Sequence, residues 1–350
     1  MATIKDVAAL AQVSISTVSR VMNQNGYADP ETRQRVLLAA RQLHYKPNAH
    51  WSRLRARSSR TILFLLCNHP HFNSFHTRLL GACEKTLRGC GYDLIFARHE
   101  YPAELRPADI PLPAMLDREG AVDGLLLAGV HHANFLAALR KRQLPYTVLG
   151  NNFAVLPEHN CISFNDEAAV EDATRYLIRL EHRRIAFLGN GALPWFRKRY
   201  TGYRRVMEEH YLPLLEATAD WQVSNIDYGQ LAVGELLRTS PHPTALVAGN
   251  DEIAAGAWKE LTRRRIPIPA RMSLLGIGDR PEFSILEPAL SSIAVFPESL
   301  GERMTTLLLE QIRNPRRPVA SELFPCKLVE RASCAPPPEE FKLHTLKRNT

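Results

Sequence analysis

The sequence predicts a short all-α module joined through a basic linker to a larger, two-lobed α/β core built on parallel sheets. Three observations carry that expectation. The first 60 residues hold ten Lys and Arg against three acids, a balance of +7 within a 350-residue chain whose total is +8. Helix-start signals recur at short intervals in the same stretch. Beyond residue 60, short apolar runs alternate with helical patterns, as parallel α/β architecture requires.

At 45% hydrophobic and 23% charged residues the chain has enough apolar material for two or three domains and is not of disordered composition. No leader pattern opens it and no apolar run approaches the roughly 20 residues of a membrane span, so a cytoplasmic protein is expected. The six cysteines contain no Cys-x-x-Cys pair, which favours free thiols over a disulfide framework. His69-x-His71 with His76, and the pair His131-His132, lack a Cys or carboxylate at ligand spacing. They read as polar loop residues, and no metal or cofactor is expected.

Thr3 and Asp6 have capping-box spacing, which starts a first helix from about Ile4 to Leu10 with Ile4, Val7, Ala8 and Ala11 along one stripe. Ser14 then caps a second helix whose Val18, Val21 and Met22 face inward while Ile15, Ser16, Thr17 and Arg20 face out. Asp29-Pro30-Glu31 begins a third, expected to bury Val36, Leu37, Ala40 and Leu43. Two short helices and a tight turn make a helix-turn-helix. A concentrated basic surface beside it suits a polyanion, because each phosphate neutralised releases condensed counterions. Charge alone would equally fit a small bundle with a solvated basic face.

These residues closely resemble the lac repressor family of bacterial transcription regulators. The match lies in Thr3-Ile4-x-Asp6-Val7-Ala8, in Val13-Ser14-x-x-Thr17-Val18-Ser19-Arg20-Val21 and in Tyr45-x-Pro47-Asn48-Ala49. It implies a DNA-binding domain over 1–46 whose second helix enters the major groove, with Ile15, Ser16 and Arg20 on base edges and Thr17 and Ser19 on phosphates. Arg20 has the guanidinium fork that matches guanine O6 and N7. Thr3, Ser14, Asn23, Tyr45 and Asn48 complete the implied contact set. Gln12 departs from the Gly, Ala or Asn usual in the turn.

Residues 47–59 form the linker, too short to be a stable helix alone. The resemblance implies a hinge helix ordered on DNA, with Leu54 wedged into the central step of the minor groove. A linker-packing role for Leu54 stays open. Trp51 and Ser52 replace the small residue and Arg usual there, and Arg53 and Arg55 are expected to take over the phosphate contact.

From residue 60 to 335 the strands expected are Ile62–Leu66, Tyr92–Ala97, Val122–Leu127, Tyr146–Leu149, Cys161–Phe164, Ile185–Leu188 and Ala245–Ala248. Helices are expected at Phe75–Arg88, Asn134–Arg142, Glu167–Leu180 and Tyr200–Glu209. The pattern restarts at Cys161, giving a first lobe of about 60–159 with 293–320 and a second of about 160–292 with 321–335. The Pro-rich segment from Glu100 to Gly120 should be irregular, and 336–350 is expected to be a disordered tail.

The resemblance extends through this core in Asp123-Gly124, Gly249-Asn250-Asp251, Ser273-x-x-Gly276-x-Gly278-Asp279, Pro288-x-Leu290-Ser291-Ser292-Ile293 and Leu328-Val329-x-Arg331-x-Ser333. It implies a fold like periplasmic sugar-binding proteins, three chain crossings between lobes, and an effector in the cleft. Asp251, Arg197 and its neighbour Arg199, Phe75 and Asn225 are the effector-site candidates, with Asn151, Trp195 and Phe196 behind them. Asp251 equally suits a helix cap, Arg197 a surface charge and Phe75 the core.

No nucleophile elbow, Walker loop, His-Glu-x-x-His or full dinucleotide fingerprint is present, so no enzyme is expected. The expected function is a regulator, dimeric or tetrameric, that reads a pseudo-palindromic operator on double-stranded DNA and answers to a sugar-like effector, without a membrane partner. The alternative is a DNA-binding regulator whose degenerate core binds no small ligand.

Overall fold

The computed structural model describes residues 2–22, 27–45, 58–69, 72–118, 120–150, 158–189, 191, 193–217 and 223–341. The chain divides into two compact units, Met1–Thr61 with Ala114–Asp123, and Ile62–Pro113 with Gly124–Thr350.

The first unit contains α1 (Ile4–Ala11), α2 (Ile15–Met22) and α3 (Pro30–Gln42). Thr3 and Asp6 form the reciprocal capping box, and Asp29 caps α3 at the Thr32 amide. Val7, Ala8, Ala11, Val18, Val21, Val36, Ala39 and Ala40 make the small core. Leu37, expected inside, is 41% exposed. The buried stripe of α3 runs 36, 39, 40, with Leu43 packed at its end, which is the i, i+3, i+4, i+7 face; Leu37 lies about 100° away from Val36 around the axis. Gln12 terminates α1 in the left-handed region at φ 52°, which explains why Gly or Asn suits this turn. Later in the same unit Asp123 accepts hydrogen bonds from the Ser59 and Arg60 amides (2.6 and 3.1 Å) and the Ser59 hydroxyl (2.9 Å), so its role at the strand start is to tie down the preceding backbone.

The second unit holds two six-stranded sheets. The first lobe comprises β1 (Thr61–Cys67), β2 (Asp93–His99), β3 (Gly124–Gly129), β4 (Tyr146–Leu149), β5 (Asn160–Phe164) and β11 (Ser321–Phe324), in the order β11-β5-β4-β3-β1-β2. β1 is buried along its whole length and pairs in parallel with β3, Ile62 opposite Gly124. Helices α4 (Ser74–Gly89) and α10 (Pro297–Arg313) pack together on this sheet, and the contact is tight: a Cβ at Gly301 would lie 2.6 Å from the Leu79 carbonyl oxygen. Helix α5 (Ala133–Lys141) joins β3 to β4; the described residues of the Pro-rich segment are irregular apart from a 3-10 turn at Ala114–Asp117, which belongs to the first unit.

The second lobe carries β6 (Ile185–Leu188), β7 (Leu215–Glu216), β8 (Ala245–Ala248), β9 (Ser273–Gly278), β10 (Ser291–Ala294) and β12 (Lys327–Val329), ordered β12-β10-β9-β8-β6-β7. Its helices are α6 (Asp166–Arg179), α7 (Pro194–Glu209), α8 (Asn225–Leu236) and α9 (Asp251–Arg263). The edge strand β12 runs antiparallel to β10, a departure from the purely parallel sheet expected.

The lobe boundaries fall later than the apolar pattern suggests. β5 does not open the second lobe; it pairs with β4 and β11 in the first. β10 belongs to the second lobe and β11 to the first, so the three crossings follow Phe164, Ala294 and Phe324. β5 and β10 are buried on both faces, and such a run carries no record of which sheet it joins. Helix α7 begins six residues earlier than expected because Pro194 occupies its first turn. Residues 336–341, expected to be disordered, are instead held in place: the Phe341 ring lies 5.1 Å from both the Arg184 and the Arg271 guanidinium carbons, with Glu340 also paired to Arg271, and the rest of the expected tail lies outside the described residues.

Candidate functional site

In the N-terminal unit the Ser14 hydroxyl accepts from the Thr17 amide at 3.1 Å and lies 2.7 and 2.8 Å from the Ser16 and Thr17 hydroxyls. This network fixes the start of α2 while Ile15, Ser16 and Arg20 remain exposed. Arg20 is oriented by a long hydrogen bond, 3.4 Å, from its Nε to the Ser16 carbonyl. Thr17 and Ser19 are half-buried beside that face, and Thr3 is engaged in the α1 cap. Tyr45 packs against the helical core, and its partial burial raises the phenol's pKa. Lys5, Arg20, Arg33 and Arg41 form no ion pair among the described residues. The acids Asp6 and Asp29 are instead spent on helix caps, whose donors hold both carboxyls below the usual range. Asn23, Asn48, Trp51, Ser52, Arg53, Leu54 and Arg55 lie outside the described residues.

In the second unit the carboxyl ends of both sheets face a cavity of about 530 Å³. The first lobe supplies Asn73, Phe75 and His76 at the start of α4, with Gly129, Leu149 and Phe164 from strand ends. The second supplies Trp195 and Arg199 from α7, Ser224 and Asn225 at the start of α8, Asn250 and Glu252 at the start of α9, then Gly278 at the end of β9 and Arg280 just beyond it. The Trp195 ring stacks on His69 with centroids 5.7 Å apart and planes 20° from parallel, so an aromatic pair spans the two lobes. Burial drives the His76 imidazole down to about 3, which keeps it neutral.

Two guanidinium groups organise the polar wall. Buried Arg199 donates from Nε to Asp166 Oδ1 at 2.7 Å and from Nη1 to the Gly249 carbonyl at 2.5 Å, while lying between the rings of Phe164 and Phe196. Burial pushes the Asp166 carboxyl up and Arg199 opposes that rise. Arg280 donates from Nη1 to Glu252 at 2.7 Å and from Nε to Glu282 at 2.7 Å. Glu252 also accepts from Asn225 Nδ2 at 2.5 Å, and Glu282 accepts from the Ser74 hydroxyl at 2.6 Å, a contact from one lobe to the other.

Of the sequence candidates, Phe75, Arg199, Asn225 and Trp195 meet at this cavity. Arg197 does not: it is exposed, because positions 197 and 199 of one helix are about 200° apart and Arg199 takes the inward one. Phe196 is buried behind the wall. Asn225 is the first residue of helix α8. Asp251 is 1% exposed and does not line the cavity. Nor is it the cap of α9; Asn250 takes that role at the Ile253 amide. Instead Asp251 accepts from the Arg280 amide at 2.8 Å and the Ser292 hydroxyl at 2.7 Å, beneath Gly276, where a Cβ would come within 2.3 Å of its Oδ1. Burial lifts its carboxyl to about 6. Asn151 lies outside the described residues.

Sequence reasoning missed Asp166, Glu252, Arg280 and Asn73. Each stands within two residues of a strand end or helix start, the positions that α/β cores turn toward a cleft, and that was the available signal. Among the described residues no group of three His, Cys, Asp or Glu could hold a metal ion, and no helix is long and apolar enough to cross a membrane.

Two family models match the chain: bacterial regulatory proteins of the lacI family over residues 3–48, and a periplasmic binding protein-like domain over 174–334. The ribose operon repressor of Haemophilus influenzae is 32% identical over 322 residues, covering 90% of this chain and 93% of its own. The chain belongs to the lacI family. The transcriptional repressor PurR of Escherichia coli is 30% identical over 347 residues, 97% of this chain and 98% of its own. The lac repressor dimer bound to operator and the anti-inducer ONPF shares the fold with a TM-score of 0.80 at 23% identity, over 95% of this chain and 99% of that one. This lacI-family member is therefore a DNA-binding transcription regulator, with a helix-turn-helix domain followed by a two-lobed core.

Proposed function

We propose that this lacI-family regulator is a cytoplasmic, non-enzymatic repressor that binds a pseudo-palindromic operator as a homodimer, with operator affinity set by a sugar-like effector in the interlobe cavity. The cavity carries the effector half of this reading. A degenerate core would have filled that space with apolar side chains, whereas here Asn73, Asn225, Glu252 and two arginines are held at it beside aromatic rings. Arg199, Asn225, Phe75 and Trp195 are the contacts assigned to the ligand; Asp251 supports the wall from behind.

On the DNA side, Ile15, Ser16 and Arg20 read base edges, and Thr17, Ser19, Tyr45, Asn48, Arg53 and Arg55 hold the backbone, with Leu54 as the wedge. The operator-bound dimer and the repressor names of the relatives support this assignment. Effector binding stabilises one arrangement of the lobes, and by linkage operator binding alters effector affinity by the same factor.

The test is fluorescence anisotropy on duplexes selected from a randomised pool, with salt varied and a sugar panel added. Salt-sensitive, sequence-preferring binding that a panel member shifts is the expected result, and Arg199→Ala should lose that shift while keeping operator affinity. Equal affinity for every duplex would refute the DNA assignment.

A further inference from the structure

If the cavity holds the effector of the proposed function, the charges around it restrict what that effector can be. Among the described residues two arginines line the cavity, and the charge of each is already balanced by a protein carboxylate, so that either can meet a ligand as a hydrogen-bond donor but not as an unpaired cation. Arg199 is neutralised by Asp166 at 2.7 Å and also bonds a backbone carbonyl. Arg280 is held between two carboxylates, Glu252 at 2.7 Å and Glu282 at 2.6 Å, so that this side of the cavity carries one negative charge more than positive. Asp279, next along the chain, is in turn paired with Arg331 at 2.7 Å.

Among the described residues no other Lys or Arg lines the cavity. Between residues 62 and 341 the segments outside the described residues contain none at all: 70–71, 119, 151–157, 190, 192 and 218–222 are composed of other residue types. Of the two imidazoles, His76 is buried and neutral, and His69 is stacked on Trp195.

A phosphate or carboxylate entering this site would meet Glu252 as a like charge, with Glu282 adding a second behind Arg280, and could pair with either guanidinium only by displacing a carboxylate already bonded to it. Both ions of the broken pair would then need new partners in a partly dry cleft. A hydroxyl meets the opposite situation. Glu252 retains lone pairs on oxygens that already accept from Arg280 and Asn225, and the amides of Asn73, Asn225 and Asn250 offer both donors and acceptors. The Phe75, Phe164 and Trp195 rings provide an apolar wall.

We infer that the effector is an uncharged, hydroxyl-rich molecule with one apolar face, a free sugar rather than a sugar phosphate or sugar acid, and that the carboxylates bonded to Arg199 and Arg280 enforce the choice. Glu282 is the positioning residue best suited to a test: it is partly exposed, anchors Arg280 on one side only, and leaves the Glu252 pair in place when removed.

The experiment is titration calorimetry and thermal shift on the full-length protein at pH 8, above the ordinary imidazole range, with matched pairs: ribose and ribose 5-phosphate, glucose and glucose 6-phosphate, fructose and fructose 6-phosphate, glucose and gluconate. The expected result is binding by at least one neutral member, with its anionic counterpart at least tenfold weaker, and no stabilisation by inorganic phosphate alone. Glu282→Gln should narrow that ratio by strengthening the anion, whereas a merely structural role would weaken both members alike. An anionic member that binds as tightly as its parent overturns the inference and leaves the regulatory reading standing. A neutral sugar that binds without changing operator affinity overturns the regulatory reading and leaves the charge preference standing. Binding by no member of any pair overturns both.

Discussion

Replacing Asp251 with Asn should invert its effect on stability between acid and neutral pH. The carboxyl is lifted by burial from an ordinary 3.8 to about 6, against the pull of the Arg280 amide, the Ser292 hydroxyl and the Arg280 charge; Asp279 adds to the rise. The native state therefore holds this proton more tightly than the unfolded chain does. The sign follows: the group leaves stability intact below about pH 4, and stability is lost as pH climbs through the folded value. With about 1.4 kcal/mol for each pKa unit, the ionised carboxylate costs the native state about 3 kcal/mol at neutral pH. Asn has the same shape and no charge. Its oxygen can accept from the Arg280 amide, but its NH₂ must then donate to Ser292 Oγ, which already accepts from the Asp279 amide at 3.1 Å, and the Ser292 hydroxyl loses its acceptor. That mismatch costs about 1 kcal/mol at every pH. Asp251→Asn should thus be about 1 kcal/mol less stable than the parent near pH 4 and about 2 kcal/mol more stable near pH 7.5. Urea unfolding across that range, read as the difference between the two proteins so that other titrating groups cancel, measures it. A difference that stays constant with pH would refute the account of the buried carboxylate.

Gln12→Gly removes a side chain from a left-handed residue and should stabilise the N-terminal helices by about 1 kcal/mol, measured by amide exchange of α1 and α3; no change would mean that the turn is not strained. Arg20→Ala should weaken operator binding by about 1 to 3 kcal/mol and relax preference at one base pair, visible in a selected duplex pool; a uniform loss across all sequences would make it a phosphate contact. Leu54→Ala should reduce specific binding far more than non-specific binding in anisotropy titrations, and equal losses would remove the wedge role. Phe341→Ala deletes a ring between two guanidinium groups and should lower the stability of the second lobe by about 1 kcal/mol, seen as a reduced melting temperature with operator affinity unchanged.

The helical module was legible because its information is local. Thr3 with Asp6, Ser14, and Asp29 with Pro30 each act within one turn, and all three caps stand where the residue spacing puts them. The core strands were legible as apolar runs, but their partners were not, since Cys161–Phe164 reads the same in either sheet and only long-range pairing with Ser321–Phe324 assigns it. The cavity was intermediate. Phe75 and Asn225 came from the family resemblance and not from local pattern, since the helix start at Asn225 went unread, and choosing Arg199 over Arg197 needed the phase of α7, which was hidden by misplacing the helix start at Tyr200 instead of Pro194. Asp251 was singled out as a ligand group, whereas its burial makes it a support, a distinction that depends on the absence of a Cβ at Gly276.

The three crossings have a consequence for the order in which the molecule is assembled. The first sheet takes β1 to β5 from residues before 165 but needs α10 and β11, which end at Phe324, to cover Leu79, Cys83 and Leu126 and to supply its edge. A ribosome must therefore complete most of the second lobe before the first can close, while the small helical bundle that precedes both is available early. A chain cut near residue 290 should leave both lobes unfinished yet still carry a foldable DNA-reading bundle, so a premature stop in the distal third would yield a fragment without an effector site rather than a regulator with only its tail missing.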